Sequence, residues 1–161
     1  MNKRILIQNT INWIKNKHSV RNNYEVEDVL ISENLRGTTN KSIIDNFNNS
    51  NWDFIPDICV VIKINQNFEI VLINCYSSSI GLTNIGEMLC FSKISNPIYS
   101  FMISTKGHSN EISPIVLDKK IYPKLLNYHQ EKYINLFCFN NETLDINYDT
   151  FIPVDLRDNY E

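Results

Sequence analysis

Four residues of this chain have types and positions suited to chemistry: Asp57, Asn74, Tyr76 and Glu87. Asp57 follows Pro56 and opens the apolar run Ile58-Cys59-Val60-Val61-Ile62-Lys63-Ile64. A second run, Phe68 to Tyr76, begins after the turn residues Asn65-Gln66-Asn67. Two strand-like runs joined by so short a polar break predict a β-hairpin. Counting outward from a turn at Asn65-Gln66 sets Asp57 opposite Asn74. A carboxylate at that end of the hairpin is a hard oxygen ligand of the kind Mg²⁺ or Mn²⁺ takes. The Asn74 amide beside it is neutral. Tyr76, two residues on, closes the second run with a phenol of ordinary pKa about 10.

The elements that must hold these residues follow from apolar spacing. Ile5, Leu6, Ile11, Trp13 and Ile14 suit a helix packed on one face and ending near His18-Ser19. Tyr24 to Ser32 reads as a strand or a short helix, Arg36 to Asn40 as a loop, and Lys41 to Phe47 as a helical turn. The Asn48-Asn49-Ser50-Asn51 cluster marks a connection to the hairpin. Both hairpin strands are apolar on both faces, as for central strands covered by helices. Leu82 to Ser95 reads as a helix with Asn84 as its cap and Glu87 three residues on, stopped by Asn96-Pro97. A strand from Ile98 to Ser104, a loop through Lys106-Gly107-His108-Ser109, a helix near Lys119 to His129 and a strand from Tyr133 to Phe139 complete the pattern. Asn140-Asn141 begins a tail ending in Ile152-Pro153-Val154. That order predicts an α/β fold with a central mixed β-sheet flanked by α-helices, in one domain spanning residues 1–161.

Composition narrows the function classes. Hydrophobic residues make up 43% and charged residues 20%, which is an ordinary globular balance and excludes a disordered chain. The net charge of −3 weighs against strong DNA binding by the chain alone, because contact with phosphate needs a basic face. Cys59, Cys75, Cys90 and Cys138 sit in apolar runs without CxxC spacing, so they read as buried free thiols. No run approaches the roughly 20 apolar residues of a membrane span. The Ile5-Leu6-Ile7 run breaks at once into polar residues, so no secretory leader is expected and the expected setting is the cytoplasm.

From Trp52 to Ser104 the chain resembles the PD-(D/E)XK, or restriction-endonuclease-like, superfamily. The resemblance rests on Pro56-Asp57, the hairpin, the helix carrying Ile85-Gly86-Glu87-Met88-Leu89-Cys90-Phe91-Ser92-Lys93, then Asn96-Pro97 and a strand ending in Ile103-Ser104. In that superfamily the strand after Pro-Asp ends in an acid, a spacer and a lysine. Asn74 and Tyr76 stand in those two places here. The resemblance implies a restriction-endonuclease-like fold. It also implies Asp57 as a metal ligand, Asn74 and Tyr76 as altered catalytic positions, and Mg²⁺ or Mn²⁺ as the cofactor of any remaining activity. Glu87 is the best migrated acid, giving a catalytic and metal set of Asp57 and Glu87; Glu25, Glu27 and Asp28 are further acids, and Lys93 a distant substitute for the lysine. Losing two of three parts that act as a unit removes several orders of magnitude of rate.

Each residue also has a plain structural reading. Asp57 after Pro56 is a common turn residue, Asn74 can bond neighbouring backbone, Tyr76 can pack on the first helix, and Glu87 can serve a capping box. The leading functional expectation is a catalytically degenerate nuclease-fold protein, binding DNA or a protein within a DNA-processing or anti-invader assembly. A protein partner or homodimer is favoured, DNA is next, and no membrane is expected. Two alternatives stand beside it: an active Mg²⁺- or Mn²⁺-dependent endonuclease with migrated residues, and a small immunity-type antagonist acting by contact.

Overall fold

The computed structural model describes residues 1–47 and 53–159, so the Asn48–Asn51 connection lies outside the described residues. Helix α1 (Lys3–Trp13) starts at Asn2, whose side chain accepts the Ile5 N–H at 3.0 Å. It continues through a π-helical turn, Ile14–His18, into the short α2 (Ser19–Arg21). Trp13, Ile14 and His18 are all buried along this run. Strand β1 (Glu25–Ile31) follows, then α3 (Lys41–Asn46), β2 (Ile58–Ile64) and β3 (Asn67–Tyr76).

The sheet runs β1-β2-β3-β4-β6-β5, with β7 also pairing β6. Strands β1, β2 and β3 form an antiparallel meander. The β2–β3 turn is the expected one: Asn65 and Gln66 both have positive φ, 48° and 73°, as the two-residue hairpin turn that matches strand twist requires. Helix α4 (Leu82–Ser95) then crosses over to β4 (Tyr99–Ser104), which lies parallel to β3. Its C-terminal end is set by Asn96 at φ 46°, with Pro97 next. Helices α5 (Ser113–Val116) and α6 (Tyr122–Leu126) lead through β5 (Asn127–His129) to β6 (Lys132–Asn140), parallel to β4. Strand β7 (Asp145–Ile152) returns antiparallel to β6.

Alternate residues of the central strands fill two cores. Ile58, Val60, Ile62, Val71, Ile73 and Cys75 pack with Leu6, Ile11, Trp13 and Ile14 of the N-terminal helical run. Cys59, Val61, Ile70 and Leu72 pack with Ile85 and Met88 of α4. Burial on both faces explains why β2 and β3 read as continuous apolar runs.

Several expectations need correction. Gly81, not Asn84, precedes α4; Asn84 lies inside the first turn and its Oδ1 accepts the Gly81 N–H at 2.9 Å, so Glu87 completes no capping box. The helix expected from Lys119 to His129 is instead α6 followed by β5. Pro123 stands in the first turn of α6, and Asn127 turns to extended backbone. The expected tail is largely β7, which covers part of the far edge of β6. Residues Tyr24 to Ser32, left open between strand and helix, contain β1.

Candidate functional site

The hairpin register places Ile58 beside Ile73, so Asp57 and Asn74 meet one step further on. Their contact is direct. The Asp57 N–H donates to Asn74 Oδ1 at 3.0 Å, and Asp57 Oδ2 accepts the Cys75 N–H at 2.8 Å. The Asp57 carbonyl accepts the Ser32 N–H at 2.9 Å from the end of β1. The Pro56-Asp57 approach is pinned from α4 as well, where Phe91 stacks on Phe54 with centroids 4.1 Å apart.

The second carboxylate oxygen of Asp57 is 2.7 Å from Lys3 Nζ. Lys3 opens α1, so the N-terminal helix brings an ammonium to the place where the hairpin presents its acid. The sequence reading missed Lys3 because 53 residues lie between it and Asp57 and no spacing rule connects a helix start to a distant strand. The only available signal was its position at the first turn of a helix expected to pack on the sheet.

Tyr76 faces the α4 side of the sheet with Leu89 and Phe91, and not the first helix as expected. The reason is strand alternation: Leu72 and Tyr76 share one face, while Cys75 faces α1. The Tyr76 hydroxyl is closed off from solvent with no partner in hydrogen-bonding geometry. Burial pushes the phenol well above its ordinary range; the nearby Asn74 amide opposes this, and the charges of Glu87 and Asp57 add to it. Tyr76 is therefore neutral and lies within electrostatic reach of both acids. Glu87 itself is exposed on α4.

The other sequence candidates lie elsewhere. Glu25, Glu27 and Asp28 belong to β1, where Asp28 Oδ2 accepts the Thr38 hydroxyl at 2.5 Å. Lys93 is in the last turn of α4. The Lys106–Ser109 loop is tied to the segment after β3: Ile80 N–H bonds Gly107 O, and Ser109 N–H bonds Ile80 O, both at 2.8 Å. Gly107 has φ +73° and a Cβ there would stand 3.2 Å from Cys138 Sγ, so glycine suits both the turn and the close approach. Beside it lies a cavity of about 340 Å³ lined by His108, Leu117, Cys138, Phe151 and Val154.

Asp57 brings two hard carboxylate oxygens to this place and Asn74 a neutral amide oxygen. Both Asp57 oxygens and Asn74 Oδ1 each accept one bond here, that on Oδ1 of Asp57 coming from the half-exposed Lys3 ammonium. Among the described residues no three His, Cys, Asp or Glu side chains are placed to share a metal. What the arrangement does is hold three strand ends and the first helix together around one neutralised carboxylate. Among the described residues no helix is long and apolar enough to cross a membrane. Comparison of the chain with protein-family models, with curated proteins and with solved structures returns no match.

Proposed function

We propose that this chain is a restriction-endonuclease-like protein whose catalytic position has become structural, and that it acts as a binding module within a DNA-processing or anti-invader assembly. Its working surface would be a protein contact or, second, a DNA contact. The observation that carries the reading is the fate of Asp57. Its carboxylate pairs with Lys3 and accepts the Cys75 N–H, which ties the strand ends together. The order of α1, the β1–β3 meander, α4 and parallel β4 supports the fold assignment, since it presents Pro56-Asp57 and Asn74-Cys75-Tyr76 at adjoining strand ends. The place of the superfamily's lysine holds a neutral phenol, which supplies no positive charge to a phosphate.

The experiment is a cleavage assay on supercoiled, linear and single-stranded DNA with Mg²⁺ and Mn²⁺, using wild type beside Asp57→Ala. The expected result is no cleavage by either folded protein. Cleavage by the wild type that vanishes in Asp57→Ala overturns the reading. A second reading, a live nuclease with Glu87 as its other acid, draws on the exposed Glu87 carboxylate of α4, the helix whose Phe91 stacks on Phe54 before Pro56-Asp57. It requires Glu87→Gln to abolish cleavage as fully as Asp57→Ala.

A further inference from the structure

The cations of this chain are unevenly placed. Five of its fifteen Lys and Arg residues (Lys3, Arg4, Lys15, Lys17 and Arg21) lie in the first 24 residues, and all eighteen acids come after them. The N-terminal helical run is thus basic on a molecule that is otherwise strongly acidic. Lys3 is neutralised by Asp57 and Lys17 by Asp145 of β7. Arg4 and Lys15 are exposed and form no ion pair among the described residues.

The geometry of α1 gathers what remains into one surface. Arg4, Gln8, Asn12 and Lys15 are all exposed and are spaced by four, four and three residues, which puts them on one outward stripe. The stripe is about 16 Å long. Ile5 and Val20, on the same helical run, are 48% and 75% exposed. We infer that this outer face of α1 and α2 docks an acidic segment of a partner protein, one that carries an apolar side chain for Ile5 or Val20. The inference rests on the binding-module reading and names the chemistry of its partner.

Magnitudes favour this occupant over two others. DNA affinity carried by phosphate contacts falls steeply with salt, by roughly 10³–10⁵ between about 50 and 200 mM even for a protein that makes about 6–10 of them. Arg4 and Lys15, even with Arg21, fall well short of that, and the acidic remainder of the chain repels a long polyanion. A membrane surface needs an apolar face to bury, and the apolar side of α1 is already spent on the sheet through Leu6, Ile11, Trp13 and Ile14. A compact acidic segment touches only the basic face. There, cations and amides orient it and speed encounter, while isolated apolar side chains provide anchors.

The test uses the full-length, isotopically labelled chain at about 0.15 M salt. The probes are a synthetic Glu-rich peptide with leucines at helical spacing, the same peptide with Lys for Glu, and a DNA duplex. Affinity is read by fluorescence anisotropy and location by amide chemical-shift changes. The expected result is binding of the Glu-rich peptide alone, with shifts centred on residues 4–20. Arg4→Glu with Lys15→Glu should weaken it about tenfold, while Lys93→Glu with Lys124→Glu, on α4 and α6, leaves it unchanged. All four side chains are exposed, so the variants should keep the wild-type melting temperature. Several results overturn the inference: no peptide binding, binding indifferent to the α1 reversal, tighter binding of the duplex, or a dimer that forms through this face in place of peptide binding. Failure here leaves the catalytic reading of Asp57 standing, because only Asp57-dependent cleavage overturns that one.

Discussion

Lys3 Nζ stands 2.7 Å from Asp57 Oδ1, joining the first turn of α1 to the start of β2. The two halves of this pair have unequal surroundings. The Lys3 side chain is 49% exposed and that of Asp57 18%, and Asp57 also receives the Cys75 N–H. Asp57→Ala should therefore cost about 1–3 kcal/mol, chiefly by leaving the Cys75 N–H without its acceptor. Lys3→Ala should cost under about 1 kcal/mol because solvent screens the ammonium. Denaturant unfolding of both single variants and the double variant checks this. In the Asp57→Ala background, Lys3→Ala should add nothing further.

Tyr76→Phe discriminates a structural phenol from a catalytic one. The hydroxyl is buried with no bond in ordinary geometry and only the Asn74 amide beside it, so its removal should change stability by under about 1 kcal/mol in either direction. Thermal melts measure the stability, and the DNA cleavage assay run in parallel should show no difference from wild type. A loss of several kcal/mol would show that the hydroxyl has a bonded partner.

The hairpin and the Asp57–Asn74 meeting were legible because they depend on local arithmetic. A two-residue turn at Asn65-Gln66 fixes every cross-strand pair, and even the plain reading of Asn74 as a backbone-bonding amide holds. Strand β7 was not legible. Its Ile146, Tyr148, Phe151 and Ile152 change alternation partway, where a bulge opposite Leu136 to Cys138 shifts the register. Helix α6 misled for a different reason. The stretch from Lys119 to His129 has helix-forming residues, but Asn127 to His129 pair with β6 and tertiary pairing overrides local preference. The Lys3 contact depends on how α1 lies across the sheet, which apolar periodicity leaves undetermined.

His18 gives the fold a dependence on acidity. It is buried against Trp13, Tyr24, Tyr99 and Phe101, and its Nδ1 is 2.6 Å from the Tyr24 hydroxyl. Burial, with the Arg21 charge beside it, lowers its pKa from 6.5 to about 3. The unfolded chain binds a proton below about pH 6.5 that the folded chain refuses until about pH 3. The stability this group contributes is thus complete above about pH 6.5 and is lost progressively as pH falls toward about 3, at up to about 1.4 kcal/mol per pH unit. Urea unfolding at several pH values should show that slope in the wild type. His18→Gln should be less stable at neutral pH but flatter across the same range.

The four thiols should separate by reactivity. Burial raises Cys59 and Cys75 to about 12, and Cys138 is raised by partial burial, while Cys90 is exposed on α4. Reaction needs the thiolate and access to it. Titration of the native protein with a disulfide reagent should give one fast thiol, one slow one, and two that appear only on unfolding. Cys90→Ser should remove the fast phase alone.

The hairpin turn has a consequence far from itself. Asn65-Gln66 and the Asp57–Asn74 contact lie at opposite ends of paired strands, about 25 Å apart at the rise of a β-strand. The turn works as a ruler whose zero mark is at one end and whose reading is taken at the other. A single residue inserted there, at a solvent-exposed and chemically idle spot, would bring Cys75 or Ile73 level with Asp57 and exchange the two faces of a strand. Length polymorphism in this turn is thus far less tolerable than its exposure suggests, and changes of residue type at the same two positions are the milder perturbation.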